Sequence, residues 1–454
     1  MLDTFEISGH WWLPELPEKK YCGRLSFSQV EGGNLDLLGL PGGFENINDP
    51  QNPEIILGLS TKGKPVTLYR CHLRHFNISI PGMQTSTYLI RFIFIGVHFN
   101  SDDDITFKGL SVNYTDLDEW VGISGFRVDN NAKDLNITYS YPDPITANIN
   151  DNLQLGITYV RAGPWSALMT KEVTISQRTI IELKTYTNEL NFFTFLEYLH
   201  HLSRLLILAV CRLVYPVQLL GKTIKNRQPM DHEVDFYPPV EIYYQLIENP
   251  DKQKPLLSND MLFTFGDIQP RFQDFVQRWY SKAERLKTVH DLYFGSLYSQ
   301  RLFINHRFLN IIQGLETYYR IQVNNRVLAK EEHKERVKEI LDVVPEKYKN
   351  WVEGLLTPAN QPSLKMMLWA LITKYDQIIT PLIGDGEKFI STIVATRNHL
   401  THHSENQKAI TDGTDLYNAT RSLTILLESA LLEELGFTID EITQMQVDRQ
   451  KFPM

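Results

Sequence analysis

Between Gly23 and about Thr187 apolar and polar positions trade places in short runs, broken by clusters of Gly, Pro, Asn and Asp. Glu54–Ser60 and Pro65–Arg74 flank Thr61-Lys62-Gly63-Lys64, a short glycine-containing connection of the hairpin kind. Tyr88–Phe99 (YLIRFIFIGVHF) is dense in aromatic and β-branched residues, and Ile105–Tyr114, Leu135–Tyr141, Leu153–Arg161 and Glu172–Lys184 continue the series. Strands in sequence with no helical pattern between them predict an antiparallel β-sandwich or barrel-like domain. From Asn188 to Leu220 the period turns helical, and Val240–Tyr244 is a further short strand. After Asn249–Ser258, which has the composition of a linker, almost every segment has helical spacing. The last of these is Asp412–Leu435, with Gly436 placed to cap it. The expected organisation is therefore α+β and multidomain. A β-rich domain covers 1–187, a helical extension and connector 188–257, and an all-α bundle 258–454.

Composition narrows this picture. The 454 residues exceed one ordinary core, and 43% hydrophobic with 22% charged residues describe a globular chain. Cys22, Cys71 and Cys211 form no C-x-x-C pair, which argues against a zinc ribbon or a disulfide framework. The first twenty residues show no basic stretch followed by an apolar one. Leu205–Leu220 is interrupted by Arg212 and Pro216, as a buried helix would be and a membrane span would not. The expected location is cytoplasmic, with no membrane partner.

The Asp102-Asp103-Asp104 run reads as a solvated turn, since no second cluster of oxygen ligands accompanies it. Trp11-Trp12 and Trp120 read as core anchors, with a recognition surface as the other option. Net charge is −9, unevenly spread. Residues 1–150 hold 11 Lys and Arg against 18 Asp and Glu, whereas 271–350 hold 15 against 10. Any contact with a nucleic acid is expected in the C-terminal half.

That half contains Gly386–Ser404 (GEKFISTIVATRNHLTHHS), an amphipathic helix ending in Arg397, Asn398, His399, His402 and His403. Arginine carries a permanent charge on a fork that fits phosphate oxygens, and histidine exchanges a proton near neutral pH. Transesterification of RNA needs a base for the 2′-OH, an acid for the leaving 5′-oxygen, and positive charge on the phosphate. These residues supply all three without a metal or other cofactor. One helix does not bring them together, because positions five apart lie about 140° around its axis. Either the helix unwinds near Thr401 or two copies of the motif meet across a symmetric interface. The bland alternative is a histidine-rich helix end that favours the negative dipole terminus.

Arg397-Asn398-x-x-x-His402 resembles the R-x(4–6)-H signature of HEPN ribonucleases, and His403 satisfies the looser spacing. Gln313-Gly314-Leu315-Glu316-Thr317-Tyr318-Tyr319, Ser363-Leu364 and the final Leu435-Gly436 extend the likeness. With Trp11–Glu15, Gly23-Arg24-Leu25-Ser26-Phe27 and Glu119-Trp120, nearly the full chain resembles the ApeA family of bacterial anti-phage proteins. The resemblance implies a C-terminal HEPN domain and a metal-independent endoribonuclease of abortive infection, a toxin to its own cell. It implies a homodimer or higher homo-oligomer with paired motifs, and an N-terminal domain that senses a phage-derived trigger. Arg397 would polarise the phosphate of an RNA, His402 would be the acid and base, and Asn398 would orient one of them. Glu316 would orient Arg397 or form a structural ion pair with it, while His399 and His403 are supporting candidates. A non-catalytic module that binds RNA or protein is the alternative.

Overall fold

The structure is a computed structural model that describes residues 4–41, 52–77, 82–130, 134–164, 171, 173–229, 235–246, 256–299, 302–323, 326–402 and 408–451. The chain divides into two compact units, one of residues 1–210 and 214–277, the other of 211–213 and 278–454.

The first unit is built on strands β1 (Phe5–Trp12), β2 (Tyr21–Ser28), β3 (Gly32–Leu38), β4 (Ile55–Ser60), β5 (Pro65–Asn77) and β6 (Thr85–Ile95). They close into an antiparallel ring. β1 pairs with β2 and β4, β2 with β3, β3 with β6, and β5 with both β4 and β6. Closure removes the free edges that an open sheet would expose. Alternate residues such as Leu25, Phe27, Leu35 and Leu37 point into a core that also holds Trp11, fully buried. Each such side chain contributes roughly 1.5–3 kcal/mol by leaving water. Gly58 makes room for the indole: a Cβ there would lie 2.3 Å from the Trp11 ring. Trp12 is also buried, under the Lys20 ammonium and edge-on to His98. The tryptophan pair is thus a core anchor, as is Trp120.

The sheet continues beyond the ring. β3 pairs with residues 85–90 of β6, and the free half of that edge pairs, from Phe92 to Ile95, with a later strand, Val240–Tyr244. From there the order runs outward through Pro216–Lys222, Gly109–Tyr114, Ser176–Thr185, Leu153–Ala162 and Ile145–Asn148, all antiparallel. Helix α1 (Phe192–Val210) packs Phe192 against Phe92, Phe94 and Phe107. It is the one helix among the described residues long and apolar enough to cross a membrane, and more than half of that stretch is buried within the protein. The helical period expected as far as Leu220 stops earlier. Cys211 takes a left-handed φ of 58° and Pro216 opens a strand, so Val217–Leu220 join the sheet instead. Asp102–Asp104 is a single 3-10 turn, where Asp102 accepts from the Tyr69 hydroxyl at 2.5 Å and Asp104 pairs with Lys225 at 2.7 Å.

Of the linker-like stretch, 249–255 lie outside the described residues. The first unit runs on past it to residue 277 for visible reasons. Leu262 N–H donates to Ala209 O at 2.7 Å, Phe265 meets Trp120 edge to face, and the Gln273 amide exchanges two hydrogen bonds with the Asn148 backbone.

The second unit is helical. Its members are α2 (Lys287–Tyr298), α3 (Ile304–Gln322), α4 (Lys330–Val343), α5 (Lys349–Leu356), α6 (Leu364–Lys374), α7 (Asp376–Ile383), α8 (Gly386–His402), α9 (Gly413–Glu434) and α10 (Ile439–Lys451). α9 is the axis. Asp412 caps its start by accepting from Thr414 and Asp415 N–H, and Gly436, with φ of 97°, ends it. Leu423, Leu426, Leu427, Leu431 and Leu432 are buried around it, as are Glu428 and Ser429. Gly314 lets α3 approach closely: a Cβ there would stand 3.1 Å from Leu427 Cδ2. Tyr293 donates to buried Glu428 at 2.7 Å, and Tyr318 donates to Glu434 at 3.0 Å. Glu434 also pairs with Lys282, while Tyr375 and Lys374 converge on Glu433.

Candidate active site

α8 begins where Asp385 accepts from Lys388 N–H at 3.0 Å. It buries Ile390, Ile393, Ala395 and Thr396, and packs against α6. Thr396 returns its hydroxyl to Thr392 O and accepts from Ile410 N–H at 3.0 Å, which fastens the chain beyond the helix back to it. The helix is regular through His402, and Thr401 Oγ1 donates to Arg397 O at 2.8 Å. Unwinding near Thr401, one of the two ways expected to join Arg397 and His402, therefore does not occur.

Arg397 sits at a cleft of about 350 Å³ lined by Glu316, Arg320, Pro362–Lys365, Met367, Val394, Arg397 and Asn398. Its side chain is one-third exposed. Nη1 donates to Asn398 Oδ1 at 3.2 Å, and Nη2 lies 4.0 Å from Glu316 Oε1. The second separation is too long for a hydrogen bond, so the carboxylate steers the guanidinium by charge alone. The chain just before the lining residue Pro362 is anchored by buried Asn360, whose side chain accepts from Leu328 N–H and donates to Leu328 O while its backbone carbonyl accepts from Val327 N–H. Ser363 then caps α6, taking Met366 N–H on its hydroxyl.

The expected residues thus fall into two groups. Arg397, Asn398 and Glu316 come together. His399 is half-buried and His402 exposed, and neither lines the cleft. His403 lies outside the described residues. Two charged cleft residues escaped the sequence reading, Arg320 and Lys365. Arg320 was within reach, because it stands four residues after Glu316 on the same helix face. Lys365 was not, since only tertiary packing brings α6 beside Arg397. Among the described residues no three His, Cys, Asp or Glu side chains gather as metal ligands would.

The family model for ApeA N-terminal domain 1 matches residues 6–279, well over half of the chain. The chain belongs to the ApeA family. A second model, Apea-like HEPN, matches residues 309–441, from α3 into α10, and so contains the whole cleft. An ApeA protein with a HEPN domain belongs to anti-phage defence, and HEPN domains in general are ribonucleases. No curated protein and no solved structure matches the chain.

Proposed function

We propose that this ApeA protein is a metal-independent endoribonuclease that cuts cellular RNA (tRNA among the candidates) once a phage-derived signal reaches its N-terminal unit in the cytoplasm. The observation that carries the reading is the cleft itself. It presents Arg397, held by Asn398 and Glu316, on a surface with three cations and one carboxylate. In the reaction a 2′-oxygen attacks the adjoining phosphorus as its proton passes to a base. The P–O5′ bond breaks and an acid protonates the leaving oxygen, leaving a 2′,3′-cyclic phosphate and a 5′-hydroxyl. Arg397 stabilises the charge on the phosphate, and His402 gives and takes the protons.

His402 of the same chain stands about 140° round α8 from Arg397. A second copy, related by a two-fold axis, supplies the missing histidine to each cleft. The test is cleavage of cellular RNA in EDTA by the wild type, Arg397→Ala and His402→Ala. Both variants are expected to lose ~10²–10⁴ in rate. Cutting that persists in both, or stops with EDTA in the wild type, rejects the mechanism.

The exposed position of His402 outside the cleft favours one other reading, a module that binds RNA or a protein without cutting. It requires binding without cleavage, and undiminished binding by His402→Ala.

A further inference from the structure

The cleft holds more positive charge than one scissile phosphate uses. Arg320 and Lys365 come from α3 and α6, yet both line the cavity that Arg397 lines from α8. Neither is firmly committed elsewhere. Arg320 Nη1 donates to Gln361 Oε1 at 3.3 Å on the exposed surface, and Lys365 Nζ lies 3.6 Å from Glu387, with side chains 57% and 75% exposed. Contacts of that kind contribute little, whereas charge-assisted bonds to a phosphate are among the strong ones. Glu316, beside Arg397, and Arg320 are four residues apart on α3, about 6 Å along the axis. That is comparable with the step between successive phosphates of an extended single strand. Leu364, Met367 and Val394 add apolar wall for the sugar or base in between. The volume lies at the small end of the ~300–1,000 Å³ typical of ligand pockets, which suits one nucleotide step rather than a duplex.

We propose that Arg320 and Lys365 form a second phosphate subsite, which holds the phosphate next to the one cut. The ligand is the backbone of a single RNA strand, and the inference rests on the ribonuclease reading above for that identity. Glu316, 4.0 Å from Arg397 and on the same helix as Arg320, disfavours a phosphate seated against its own carboxylate.

The test uses the full-length protein and a single-stranded 2′-O-methyl oligonucleotide, which keeps the phosphates and removes the nucleophile. Binding is measured from about 50 to 200 mM salt for wild type, Arg320→Ala, Lys365→Ala and Arg320→Lys. Each alanine variant is expected to weaken binding and to flatten the plot of log K against log salt by about 0.7. On cleavable RNA the loss falls on KM rather than kcat, and Arg320→Lys recovers most of the affinity. Alanine variants with wild-type affinity and salt slope overturn the subsite, as does a loss confined to kcat. If the wild type binds but never cuts and the variants bind less, the subsite stands and the ribonuclease reading falls. If the wild type cuts and the variants match it, only the subsite falls. A wild type that neither binds nor cuts RNA, alone or with a lysate of phage-infected cells added, rejects both.

Discussion

The Glu316 carboxylate stands 4.0 Å from the Arg397 guanidinium, near enough to aim it and too far to bond it. Glu316→Gln keeps the shape and removes the charge. Stability is expected to fall by less than ~1 kcal/mol, because the pair is partly exposed. The cleavage rate is expected to fall by about tenfold, since a loosely held arginine is poorly preorganised. Thermal melts and kcat, measured together, check this; a normal kcat reduces Glu316 to a structural ion pair.

If each cleft takes its arginine from one copy and its histidine from another, two dead variants rescue each other. Arg397→Ala and His402→Ala, mixed after dissociation, form half mixed dimers with one whole site of two. About a quarter of the wild-type rate is then expected. Analytical ultracentrifugation identifies the dimer, and the rate of the mixture reads the complementation. No recovery from a demonstrably mixed dimer rejects the shared site.

Gly314 is where α3 leans on α9. Gly314→Val places atoms inside the contact with Leu427, which lies in a fully buried row. Such overpacking costs typically ~1–3 kcal/mol, more than the better helix propensity returns. Chemical denaturation followed by helical circular dichroism is the measurement, and a variant as stable as the wild type contradicts the packing described.

Burial pushes the Tyr318 and Tyr375 phenols well up from their ordinary range, with the charge of Glu434 adding at Tyr318. At Tyr375 neighbouring Tyr318 and then Glu433 add to the burial. The folded unit therefore holds these protons more tightly than the unfolded chain does. The stability they bring is complete below the ordinary phenol pKa of about 10 and drains away as pH rises above it. Both tyrosines are expected to ionise only as the helical unit unfolds, so phenolate absorbance and loss of helix coincide. The double variant Tyr318→Phe, Tyr375→Phe should shift the alkaline limit upward, at some cost from the unpaired carboxylates at neutral pH.

Much of this was legible along the chain, and what was missed shares one cause. Alternation in Leu25–Phe27 and Leu35–Leu37, and the stripe of Ile390 and Ile393, gave strands and helices because those signals are local. Closure of the barrel was not local: β1 meets β4 and β6 meets β3 across long stretches of chain, and no spacing encodes that. The end of α1 depends on a left-handed Cys211, a conformation that no cysteine announces. Arg397 and Asn398 were found because they are neighbours, and Glu316 through resemblance. Lys365 needed the packing of two helices to become visible.

The twelve-stranded sheet turns on β6, whose two edges are occupied along nearly its full length, by β5 on one side and by β3 and then Val240–Tyr244 on the other. Its amides have no solvent-facing neighbour through which to open first, so they should be the last in the first unit to exchange with heavy water. The barrel and the flanking sheet then melt as one cooperative block. A barrel cut out on its own would expose the last four residues of β6, Phe92–Ile95, as a bare apolar edge. It would seek that missing strand in another molecule.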